Sequence, residues 1–113
     1  MAKRKVTHHN EIVTKQSTSL AQVSFGDIIE FKYSGKTIYD SKPLVYVLEK
    51  KGDLIKGINI NYLTEYKTQQ LLQEKSNKKF QWYELYDTAI RSYKKNKMLM
   101  IKRVLYGRDY DAS

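Results

Sequence analysis

The sequence predicts an α+β domain: a small, strongly bent antiparallel sheet, SH3-like or OB-like, with a two-helix insertion before its last strand. Three observations carry this expectation. Residues 25–60 hold short β-branched and aromatic runs punctuated by Gly, Asp, Ser and Pro. Residues 61–93 change to a helical period, and Met98–Tyr106 returns to a continuous apolar-rich run that suits a closing strand. A plain two-layer α+β sandwich fits the same order. The 113 residues suffice for one domain and not for two ordinary ones.

The elements follow in turn. Residues 1–24 read as a flexible basic arm, because they carry little apolar period and many Ser, Thr, Gln and Asn side chains. Residues 25–106 form the domain and 107–113 a tail. Ile28–Tyr33 reads as a strand, Ser34-Gly35 as a turn and Lys36–Tyr39 as the returning arm of a hairpin. Asp40–Pro43 is a loop. Leu44–Leu48 is nearly continuous in apolar residues, as expected of a central strand covered on both faces. Lys50–Asp53 makes the next turn. Leu54–Ile60 is another strand, in which Gly57 marks a bulge or a close backbone approach. Asn61 or Thr64 can cap a first helix ending near Leu72, and Glu74–Lys79 is a polar linker. Trp82, Leu85, Tyr86, Ala89, Ile90 and Tyr93 then fall on one stripe of a second helix.

Charge is the strongest compositional signal. Lys and Arg number 21 against 12 Asp and Glu, a formal +9, and the pI is near 9.6. The excess sits at the ends: residues 1–24 carry +3, residues 25–66 are neutral and residues 67–113 carry +6. Such a domain suits phosphate, an acidic protein surface or an anionic membrane. The membrane is the poorest of these, because no apolar run approaches the roughly 20 residues of a span and the second helical stripe carries Glu84 and Asp87 on its polar side. No membrane partner is expected.

Little in the chain supports catalysis. It has no cysteine, so thiolate chemistry, disulfides and Cys-based zinc sites are excluded. It has no Walker-type phosphate loop, no dinucleotide fingerprint and no nucleophile elbow. The adjacent His8 and His9 lie in the arm without further ligands at fixed spacing, so no metal or cofactor is expected. Asp40 followed by Glu49-Lys50-Lys51 matches a loose pattern of metal-dependent nucleases, but solvated charges flanking a turn give the same spacing. The expected class is non-enzymatic.

The nucleic-acid signal is broader. The candidate contacts are Lys3, Arg4 and Lys5 in the arm, and Arg91, Lys94, Lys95, Lys97, Lys102, Arg103 and Arg108 near the end. Tyr83, Tyr93 and Tyr106 are interleaved with the second group, and cations beside aromatic rings suit phosphate tracking with base stacking. Tyr86 and Tyr93 also complete the apolar stripe, which favours a core position for both. Of the 21 cations, 17 are Lys and four are Arg. Lysine is a flexible point charge, so contact is expected with DNA or RNA phosphates and not with base edges.

Pro43-Leu-Val-Tyr-Val-Leu-Glu49 followed by Gly57-Ile-Asn-Ile-Asn-Tyr-Leu63, with Ala89–Tyr93 and Met98–Leu105 further on, resembles small basic proteins of large tailed bacteriophages. The resemblance spans about residues 25–106 and carries no catalytic residues with it. It implies a viral origin and a place in the cytoplasm of the infected bacterium or inside the virion. On that footing the first expectation is a DNA-binding protein of genome packaging, protection or transcription. The second is a structural protein of the head, neck or tail that touches neighbouring subunits. An inhibitor of a host protein and a Mg-dependent nuclease come after these. Nothing in the sequence sets the oligomeric state.

Overall fold

The computed structural model describes residues 12–34 and 42–106. Six strands form one antiparallel sheet: β1 (Ile12–Ser17), β2 (Ile28–Tyr33), β3 (Leu44–Lys51), β4 (Leu54–Asn59), β5 (Ile90–Lys94) and β6 (Met98–Tyr106). Their spatial order is β1-β6-β2-β3-β4-β5, so β1 and β5 are the edges and the sheet is open. Two helices, α1 (Glu65–Glu74) and α2 (Trp82–Leu85), lie between β4 and β5. The fold is thus α+β, as expected, with β2, β3 and β4 as a meander.

Local chemistry explains these elements. The Thr64 hydroxyl accepts the backbone N–H of Lys67, fixing the start of α1. Gly52 supplies a left-handed residue (φ +59°) at the β3–β4 turn. Gly57 meets the second alternative read from the sequence, a close backbone approach: a Cβ there would collide with the carbonyl oxygen of Tyr46 on β3. Register shifts between Ile12 and Thr14, Glu30 and Lys32, and Val47 and Glu49 bend the strands.

Both sheet faces are buried, which is why Leu44–Leu48 is continuously apolar. On one face Leu71, Leu72, Trp82, Tyr86 and Ala89 pack over Ile28, Leu44, Tyr46, Leu48 and Ile58. On the other, Ile29, Phe31, Val45, Val47, Ile55, Tyr93 and Met98 close around Val23 and Leu20. Two buried polar groups of the core are partnered: the Trp82 indole N–H donates to the Asn77 carbonyl at 2.9 Å, and Asn59 Nδ2 lies 3.0 Å from the Tyr93 hydroxyl.

Three expectations are corrected. Residues 12–24, assigned to the arm, belong to the domain: β1 pairs with β6, and Val23 is fully buried. The apolar stripe from Trp82 to Tyr93 is not one helix. It divides into the four-residue α2, a 3-10 turn at Asp87–Ala89 and strand β5. Ile90–Lys94 pairs with Leu54–Ile58, and the ladder hydrogen bonds outweigh continuation of a helix. The helices therefore precede the last two strands, not the last alone. The expected returning arm Lys36–Tyr39 lies outside the described residues, as do the tail and most of the arm.

Candidate nucleic-acid interface

Two turns meet at one end of the sheet. The β3–β4 turn is Gly52 and Asp53, entered from Lys51 at the end of β3, and the β5–β6 connection is a 3-10 turn formed by Lys95–Lys97. Lys95 joins them: its backbone N–H donates to the Asp53 carbonyl at 2.9 Å and its ammonium group to the Gly52 carbonyl at 2.7 Å. Lys51, Leu54 and Lys94 occupy one row across β3, β4 and β5, so Lys51 and Lys94 project from the same face. The Lys94 N–H donates to the Tyr33 hydroxyl, and the Lys97 carbonyl accepts from Ser34. Four lysines, Lys51, Lys94, Lys95 and Lys97, are thereby gathered on a hydrogen-bonded tip with Asp53 as the carboxylate of the turn.

The other sequence candidates separate. Arg91 sits at the far end of β5, its guanidinium 4.8 Å from the Tyr62 ring centroid and bonded to the Thr88 and Ile90 carbonyls. Arg103 is structural. It donates to the Gln22 carbonyl at 2.9 Å, approaches Asp27 at 3.4 Å, and holds the chain before β2 against β6. Lys102 lies opposite Glu30 on β2 and lines a small cleft with Lys32, Lys42 and Met100. Glu30 is buried and paired with Lys15 at 3.2 Å. Lys3, Arg4, Lys5 and Arg108 lie outside the described residues.

Of the three interleaved tyrosines, Tyr93 is core, packed edge-on against Phe31 and Tyr33, and the side chain of Tyr106 is not among those described. Tyr86 is also core. Tyr83 is 45% exposed and leads to a feature the sequence reading missed. Phe25, Leu48, Glu49, Lys78, Phe80, Trp82 and Tyr83 line a groove of about 320 Å³. Lys78 Nζ lies 5.8 Å from the Phe25 ring centroid and Lys56 Nζ 5.2 Å from that of Tyr83. Burial, then the charge of Glu49 and a hydrogen bond to it, push the Tyr83 hydroxyl above its ordinary pKa. Glu49 and Lys56 are paired across β3 and β4, two rows before Lys51 and Leu54 and so on the same face. Groove and lysine tip therefore adjoin on one sheet face, roughly 7 Å apart along the strands.

Among the described residues no group of three or more acidic or histidine side chains is placed to hold a metal. Glu49, half of the loose nuclease pattern, engages Tyr83; Asp40 falls outside the described residues. No helix among those residues is long and apolar enough to cross a membrane. Comparison with protein-family models, with curated proteins and with solved structures found no significant match.

Proposed function

We propose that this chain is a non-enzymatic phage protein that binds DNA or RNA through phosphate contacts, acting in genome packaging, protection or transcription. The observation that carries the reading is the tip, where two turns are tied together so that Lys51, Lys94, Lys95 and Lys97 fall at one end of the sheet. Lysines on a fixed platform neutralise a backbone without reading bases, and net charge of +9 draws a polyanion to the whole molecule. Between SH3-like and OB-like geometry, this reading takes the SH3-like form. Its support is the last strand inserted between β1 and β2, with register shifts that bend the strands of the open sheet. The working site is the infected cell or the virion interior. The test is binding of the purified chain to nucleic acid across a salt series: a steep fall in affinity with salt is expected, and no binding at low salt overturns the proposal.

A second reading, a structural virion component, has its own support. Tyr62, Tyr66 and Leu85 are exposed at 49%, 74% and 41% on and beside the helices, the kind of aromatic surface that neighbouring subunits cover. On that reading the chain co-purifies with assembled particles and replacing Tyr66 with Ser blocks its incorporation.

A further inference from the structure

Resting on the nucleic-acid reading, we infer that the groove lined by Phe25, Phe80 and Tyr83 seats one unstacked base, so that the partner is single-stranded nucleic acid and not duplex. Its volume of about 320 Å³ is at the lower end of the range for small-ligand sites, about 300–1,000 Å³, which suits one nucleotide. Its walls are aromatic: Phe80 lies 4.6 Å from Trp82 by ring centroids, and Tyr83 and Phe25 flank them. Aromatic faces hold any base by stacking, without a sequence code. A paired base cannot enter unless it leaves the helix, whereas a single strand offers its bases freely.

Charge sets the orientation. Glu49 lines the groove and repels phosphate, while Lys78 and Lys56 stand over the rings at its rim. The base therefore goes in and the backbone stays out, on the cations. Each ammonium rests on its ring through a flexible stem, and that contact is weaker than base stacking on the same face, so a base displaces it. Two rows further along β3 and β4 the backbone reaches Lys51 and Lys94. An acidic peptide would satisfy the cations but would place its own carboxylates against Glu49.

The test compares a fluorescently labelled poly-thymidine strand with a hairpin duplex of the same length by anisotropy, using the full chain. Quenching of Trp82, the only tryptophan in the sequence, reports entry into the groove. The single strand should bind about tenfold more tightly than the duplex, and Tyr83→Ala, at an exposed position, should cost it about tenfold while leaving duplex binding unchanged. The combined variant Lys94→Gln, Lys95→Gln, Lys97→Gln should weaken both ligands. Equal binding of strand and duplex, unaffected by Tyr83→Ala, would overturn the groove assignment and leave phosphate binding standing. No binding of either ligand would overturn both.

Discussion

Gly57→Ala sets two physical effects against each other. In most strand positions the change is mildly favourable, because alanine reduces the freedom of the unfolded chain by about 0.4–1 kcal/mol. At Gly57 the new methyl would sit against the Tyr46 carbonyl oxygen, 2.6 Å from Val45 Cγ1 and 3.1 Å from the Tyr46 carbonyl carbon. Ordinary carbon contacts are about 3.5–4.0 Å. Val45 and Tyr46 are both fully buried, so neither can move aside into solvent. β3 and β4 must part in the middle of the sheet. Overpacking a core by one methyl costs about 1–3 kcal/mol, and a backbone obstacle places this case near the top. After the entropic gain a net loss of about 2 kcal/mol remains, equivalent to a fall in Tm of roughly 8 °C for a domain of this size. Urea unfolding followed by Trp82 emission should show a lower midpoint with an unchanged slope. Gly52→Ala is the control: its φ is +59° but nothing lies within 4 Å of the added methyl, so only the left-handed backbone is charged, about 1 kcal/mol. If Gly57→Ala loses less than Gly52→Ala, the close approach does not govern this sheet.

Other outcomes follow from the same geometry. Replacing Lys94, Lys95 and Lys97 with Gln should reduce the slope of log affinity against log salt on duplex by about 3, at about 0.9 per lost phosphate contact; an unchanged slope would remove the tip from the interface. Arg103→Gln should lower stability by about 1–2 kcal/mol in chemical denaturation while leaving that slope unchanged, because its guanidinium serves Gln22 and Asp27. Burial pushes the Tyr46 and Tyr86 hydroxyls up to about 12. Both phenols are favoured neutral in the fold, so their contribution is complete below about pH 10, where the unfolded chain ionises, and is lost as pH rises to about 12. The loss should be read as a drop in unfolding free energy across that window. Thr64→Ala should cost about 1 kcal/mol through the lost cap of α1, seen as a lower urea midpoint.

What was legible in the sequence divides along physical lines. β3 and β4 declare themselves because both faces are covered and glycine marks the turn between them. α1 announces itself through Thr64. β1 was missed because Thr14–Ser17 runs along an edge with mostly exposed side chains, and such a strand has no apolar alternation to detect. The stripe from Trp82 to Tyr93 was misread for a different reason. Its buried residues do share the core, but three short elements, and not one helix, deliver them there. In the candidate site, the cluster of Lys94, Lys95 and Lys97 is local in sequence and was found, whereas its partner Lys51 arrives by strand pairing. Phe25, Glu49, Lys78 and Tyr83 come from four separate segments, so no spacing could have joined them into a groove.

The placement of β6 between β1 and β2 governs the order in which the molecule can be assembled during synthesis. As the chain leaves the ribosome, β2, β3 and β4 can pair as each is made, since each neighbours the next. β1 emerges first yet has no partner until Met98–Tyr106 follows. Until then one side of β2 also stays open, and its backbone groups can recruit another chain. Completion of the sheet therefore waits for β6, and its long-range pairing makes that step slow relative to a helical bundle. A nascent chain stalled before residue 98 would hold the meander but not its first strand, and should be the form most prone to aggregate.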